Sequence, residues 1–130
     1  MRGAGEQKSE GAVAAALSTA LDAAEAQSLR DRAERELREI VEHSPMRVRA
    51  WLSLSFLYDA RGEFARSAWA TRQAVGADAF LDEARNLLEE HFYDALRRED
   101  MPDAARDCEV GAAQYATYVV FTECRLTLLE

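Results

Sequence analysis

Lysine is almost absent from this chain: 16 of its 130 residues are Lys or Arg, and the single lysine is Lys8. With 24 acidic residues the formal charge is −8. An acidic surface with no basic block repels phosphate backbones and anionic lipid, which excludes nucleic acid as a partner and disfavours membrane surfaces. No run approaches the ~20 apolar residues of a spanning helix, so membrane insertion is not expected. Gly11–Leu21 is Ala-rich, but Glu6 and Glu10 precede it where an export signal needs a basic leader. There are two prolines and six glycines, two of the latter within the first five residues. Helix breakers are thus scarce through the body of the chain. Two cysteines, Cys108 and Cys124, have no metal-type spacing and do not make a disulfide framework, which points to a reducing, cytoplasmic setting.

What is abundant is Ala, Leu, Arg and Glu, all strong helix formers, and the chain reads as all-α. Residues 1–11 lack periodicity and are expected to be a disordered tail, with one helical domain over 12–130. Val13, Ala16, Leu17, Ala20, Leu21 and Ala24 have helical spacing. Ser28 is a candidate cap for a following helix to His43, with Leu29, Ala33, Leu37, Ile40 and Val41 on one face and a charge ladder opposite. Ser44 and Pro45 suit the cap and first turn of the next helix. Further helices are expected over about 81–98, from Asp100 to about Ala113 and from Tyr115 to Leu129, with Asp100 capping and Pro102 in a first turn.

The most specific stretch is Val48–Val75. Trp51, Leu54 and Tyr58 share one helical face, and Gly62 follows where a left-handed residue ends a helix. Phe64, Ala68 and Val75 then restart an apolar stripe. The spacing of Trp51, Leu54, Tyr58, Gly62, Phe64 and Ala74 resembles the tetratricopeptide repeat, closely only over Val48–Asp78. Such hairpins stack on copies of themselves. The family's period of about 34 residues places related units near Ala14 and Asp82, the second with about three residues inserted. The resemblance implies an array of antiparallel helical hairpins, an α-solenoid of about three repeats, working as a non-catalytic protein-binding module of adaptor or small-chaperone type.

Chemistry-bearing constellations are thin. His43 and His91 are far apart, and His91 with Glu90 and Asp94 supplies too few ligands for a metal site, which needs three or four. No serine sits in a Gly-flanked elbow, no P-loop exists, and adjacent acidic pairs such as Glu89-Glu90 diverge from a helix. No catalytic residue, metal or cofactor is expected. Under the repeat alignment Cys108 and Cys124 fall on facing core surfaces, as buried apolar fillers that a disulfide could join.

In the resemblance, the first helix of each hairpin lines the concave side. Arg49, Leu52, Phe56 and Asp59, with Asn86, Glu90 and Tyr93 downstream, are the expected partner contacts. Leu52 and Phe56 stand where chaperone-tail-binding members carry polar residues, so that activity is not implied. Ten acidic residues against four arginines between Asp82 and Glu109 favour a partner peptide or helix with apolar anchors and Lys/Arg flanks. The alternative is a structural subunit, or a homodimer, that uses the aromatic segment Tyr115, Tyr118, Val119 and Phe121.

Overall fold

Scarcity of breakers shows itself as helix. The computed structural model describes Ala4–Glu130, with side chains described from Gly11 onward. Six helices and no strand occur among the described residues: α1 (Ala4–His43), α2 (Val48–Ala60), α3 (Phe64–Ala77), α4 (Asp82–Arg97), α5 (Met101–Gln114) and α6 (Val119–Leu129). The chain is all-α, and no described helix is long and apolar enough to cross a membrane.

Two units divide the chain, Met1–Arg35 and Glu36–Glu130. In the first, the break expected at Ser28 is not formed. No Gly or Pro lies between Gly11 and Pro45, and a serine inside a helix costs only a few tenths of a kcal/mol. Of the tail expected over residues 1–11, Met1–Gly3 lie outside the described residues and Ala4–Gly11 are helical. Val13, Leu17, Leu21 and Leu29 are exposed, and Gln27 donates to Asp31 across one turn.

The second unit begins with the last turns of α1, where Leu37 and Val41 pack into a core with Trp51, Leu54, Tyr58, Val75 and Leu88. Ser44 does not cap α2, because Arg47 is its N-cap residue. Pro45 sits instead in a turn closed by Arg47 N–H donating to Ser44 O at 3.1 Å, and its carbonyl accepts the Trp51 indole N–H at 2.8 Å. Trp51 also meets Trp69 edge-on, with centroids 5.3 Å apart.

α2–α3 and α4–α5 are antiparallel hairpins with the same turn chemistry. Glu63 N–H reaches Tyr58 O at 2.9 Å and Gly62 N–H reaches Asp59 O at 3.0 Å; Asp100 N–H reaches Ala95 O at 2.9 Å and Glu99 N–H reaches Leu96 O at 3.1 Å. Both are the paired bonds of a Schellman stop. That stop needs a left-handed residue, supplied by Gly62 at φ 73° and by Glu99 at φ 58°. As expected, Asp100 caps α5, its Oδ1 accepting from Asp103 N at 3.1 Å. The second hairpin packs on the first mainly through α3, which touches both α4 and α5.

The last segment folds back on the second hairpin. A turn over Tyr115–Tyr118 precedes α6, so the helix expected from Tyr115 begins at Val119. Phe121 is buried in the main core, against Gly111 and between Tyr115 and Tyr118. Cys108 and Cys124 are joined in a disulfide with Cα atoms 5.7 Å apart. This corrects the expectation of separate buried thiols. The 16-residue separation spans the α5–α6 turn, and a loop of that size restricts the unfolded chain by about 3 kcal/mol.

Candidate functional site

A pocket of about 390 Å³ opens where the end of α2, the start of α3 and the middle of α4 meet, lined by Asp59, Phe64, Glu90, His91, Tyr93, Asp94 and Arg97. Three expected contact residues converge here. Asp59 comes from α2, Glu90 and Tyr93 from α4, and Phe56, exposed, stands one turn before Asp59. Asn86 is exposed on α4, one turn before Glu90. Phe64, Asp94 and Arg97 complete the lining and were not among the expected contacts. Phe64 opens the apolar stripe expected for α3, but at the helix's first position it is 40 % exposed and lines the pocket. The sign for Asp94 was its spacing to Arg97 and Arg98, which pair with it at 3.6 and 2.9 Å.

The remaining contacts are placed differently. Arg49 is exposed but engaged across the hairpins, donating to Glu83 Oε2 at 2.7 Å. Leu52 is only 2 % exposed and belongs to the main core. It is therefore not a free contact, because residues of α1, α3 and α4 share the core in which it is buried. Phe121, at 1 % exposure, is likewise packing, whereas Val119 is exposed. Tyr118 is held by its own chain, with its hydroxyl donating to Glu89 Oε2 at 3.1 Å and the Arg85 guanidinium 4.9 Å from its ring centroid. Tyr115 is half-buried beside Phe121.

His91 forms the inner wall of the pocket and is buried. Its Nε2 lies 3.1 Å from Ser67 Oγ, 3.4 Å from Ser55 Oγ and 3.7 Å from Asp59 Oδ2. The neighbouring hydroxyl protons bear on the ring's tautomer. A carbonyl only accepts, so the Ser67 hydroxyl donates to Ser55 O at 2.8 Å and the Thr71 hydroxyl to Ser67 O at 3.0 Å. Having one proton, Ser67 is the acceptor towards His91. With the Asp59 carboxylate 3.7 Å away as well, these contacts favour a proton on Nε2 of neutral His91, and the Ser55 hydroxyl, 3.4 Å from the same nitrogen, is the one whose proton is not taken up by a carbonyl. Burial pushes its pKa below the usual histidine value, opposed by the charges of Asp59, Asp94, Asp103 and Glu90.

This arrangement is not a nucleophile relay. Such a relay needs the serine proton aimed at an unprotonated ring nitrogen and the carboxylate on the other nitrogen. Here serine and carboxylate lie against one and the same nitrogen. No group of three or more His, Cys, Asp or Glu among the described residues is placed to hold a metal ion. What the pocket offers is charge and aromatic surface. Asp94 is compensated by Arg97 and Arg98, so the negative charge of the lining comes from Asp59 and Glu90, beside Tyr93 and Phe64, whose ring has the Arg98 guanidinium 5.1 Å from its centroid.

Deeper in the same layer, Arg72 of α3 donates to Asp107 Oδ1 at 2.6 Å and to Asp103 Oδ1 at 3.2 Å, both on α5. The two carboxylates are 0 % and 1 % exposed, and their Oδ2 atoms have no hydrogen-bond partner.

Comparison with protein-family models, with curated proteins and with solved structures found no match to this chain.

Proposed function

We propose that this protein is a non-catalytic binding module built from stacked tetratricopeptide-like hairpins, and that the pocket between α2 and α4 takes a basic side chain of a protein partner. The observation that carries the reading is the convergence of Asp59, Glu90 and Tyr93, from two successive hairpins, on one pocket with net negative charge. The repeat reading is supported by the recurrence of the Schellman stop at Gly62 and Glu99. It is also supported by buried pairs 34 residues apart, Ala50 with Ala84, Leu54 with Leu88, and Tyr58 with Phe92. Exposed Phe56 supplies an apolar neighbour, so the partner segment joins an apolar anchor to a lysine or arginine. Adaptor or small-chaperone work is the role we infer; the cytoplasmic setting expected from unpaired cysteines does not go with the Cys108–Cys124 disulfide, since such bonds persist mainly in oxidising compartments.

The test is an NMR titration at pH 7.5 with Nα-acetyl-lysine methylamide beside its uncharged analogue, Nα-acetyl-norleucine methylamide. Shifts centred on Asp59, Glu90 and Tyr93 are expected from the lysine probe alone. An Asp59→Asn/Glu90→Gln variant should bind it about five- to tenfold more weakly, given up to about 1 kcal/mol for each exposed charge pair. Equal response to both probes, or to wild type and variant, would refute the reading.

A second reading, self-association, is favoured by Val119, Leu126 and Leu129 of α6, which are 66, 65 and 84 % exposed. Light scattering over a concentration series decides it. A dimer lost in Leu126→Glu supports this reading, and a monomer throughout removes it.

A further inference from the structure

We propose that a cation in this pocket and a proton on His91 exclude one another, so that the module holds a lysine-type ammonium at neutral pH and releases it on acidification. The inference rests on the pocket being a cation site, as read above, and adds its regulation.

The geometry is that of a shared counter-ion. Asp59 Oδ2 lies 3.7 Å from His91 Nε2, and Asp59 and His91 line the same pocket. With neutral His91, the ring offers Asp59 only an N–H dipole, and the carboxylate keeps its charge for a ligand. A second proton, whichever nitrogen takes it, completes the imidazolium. The imidazolium so formed places a full positive charge on the inner wall. Asp59 then has an internal partner, and an ammonium in the pocket meets a like charge.

The groups facing His91 come from four helices: Ser55 and Asp59 of α2, Ser67 of α3, Glu90 and Asp94 of α4, and Asp103 of α5. The carboxylates favour the imidazolium, whereas burial opposes it more strongly. At neutral pH the ring is thus uncharged and the pocket is open to a cation. Linkage requires reciprocity, so a proton that weakens the ligand is itself weakened by the ligand to the same extent. The loss sets in as pH falls through the depressed His91 pKa.

The test uses the fact that the chain has only two histidines. His43, exposed in the last turn of α1, is an internal reference outside the pocket. Both ring signals are followed by NMR from pH 8 to pH 5, with and without saturating Nα-acetyl-lysine methylamide at constant ionic strength. The lysine probe should lower the His91 midpoint by about half a unit or more while His43 stays fixed, and affinity should fall about three- to tenfold across the His91 transition, one unit being a factor of ten. In a His91→Gln variant that decline should vanish; if the variant does not fold, the wild-type titration stands alone. A probe that binds without moving His91, or a His91 ring that does not titrate above pH 5, overturns the inference and leaves the pocket reading intact. No binding at pH 7.5 overturns both.

Discussion

Replacing Arg72 by methionine is expected to destabilise the protein by about 3–5 kcal/mol at pH 7.5, the cost of leaving buried charge unpaired. Arg72 is the only hydrogen-bond donor that reaches both Asp103 and Asp107 among the described contacts. Arg98 is the next cation, at 3.7 Å from Asp103 Oδ2. Without the guanidinium, two carboxylates of α5 one turn apart would stay buried against each other. The methionine fills similar volume, so the loss measures charge rather than a cavity.

The pH dependence separates this account from a packing defect. Burial pushes the Asp107 pKa up to about 7, with Arg72 acting against the rise. In the unfolded chain an aspartate titrates near ~3.9. Between those values the native state holds a proton that the unfolded state has lost, so this group's contribution falls as pH rises. It is fully present below about pH 4, declines through pH 7 and is flat above. Urea unfolding of wild type and Asp107→Asn from pH 5 to 8 should therefore show the variant gaining on wild type as pH rises. The Arg72→Met deficit should shrink on acidification, since protonation of the orphaned carboxylates removes the unpaired charge. A deficit that is the same at pH 5 and pH 8 would assign it to packing and sink the argument.

That buried cluster also marks what the sequence could and could not show. Asp103 and Asp107 are four apart, the ordinary spacing of a solvated helix face. Only their place beside Ala104, Cys108 and Gly111, on the side of α5 that turns out to be buried, hinted otherwise. The partner Arg72 lies 31 and 35 residues upstream, beyond any local pattern. By contrast, Trp51, Leu54, Tyr58 and Gly62 were legible because one hairpin fixes them: periodicity selects the face, and a positive φ selects glycine. Leu52 failed for the converse reason. Its position beside the core stripe reads as exposed in a lone hairpin, whereas in the structure it is buried in a core to which α1, α3 and α4 also contribute. Asp59, Glu90 and Tyr93 of the pocket lining drew notice as contacts because the resemblance assigns those positions to a groove. Phe64 and His91 did not, since an aromatic at a helix start and a lone histidine look like core.

Substituting alanine for Gly111 is expected to destabilise the protein by about 2 kcal/mol or more, although the same change in an open helix would stabilise it by about 1 kcal/mol. The competing effect is steric. A Cβ at Gly111 would fall within the ring of Phe121, against its Cγ, Cδ1 and Cε1 atoms. Phe121 has little room to withdraw, being 1 % exposed and flanked by the Tyr115 and Tyr118 rings at 5.8 and 5.9 Å. Moving α6 instead strains its connection to α5, which the Cys108–Cys124 disulfide holds. Overpacking of this kind costs typically 1–3 kcal/mol and occasionally more, and a ring overlap belongs at the upper end, so it outweighs the propensity gain. A double-mutant cycle tests the cause. Phe121→Ala alone should cost about 3–5 kcal/mol; in that background Gly111→Ala should become neutral or stabilising, because the ring it collides with is gone. A Gly111→Ala penalty unchanged by removal of Phe121 would mean that the helix, not the aromatic cap, requires the glycine, and that α6 is not seated on α5 in the way the packing of Phe121 implies.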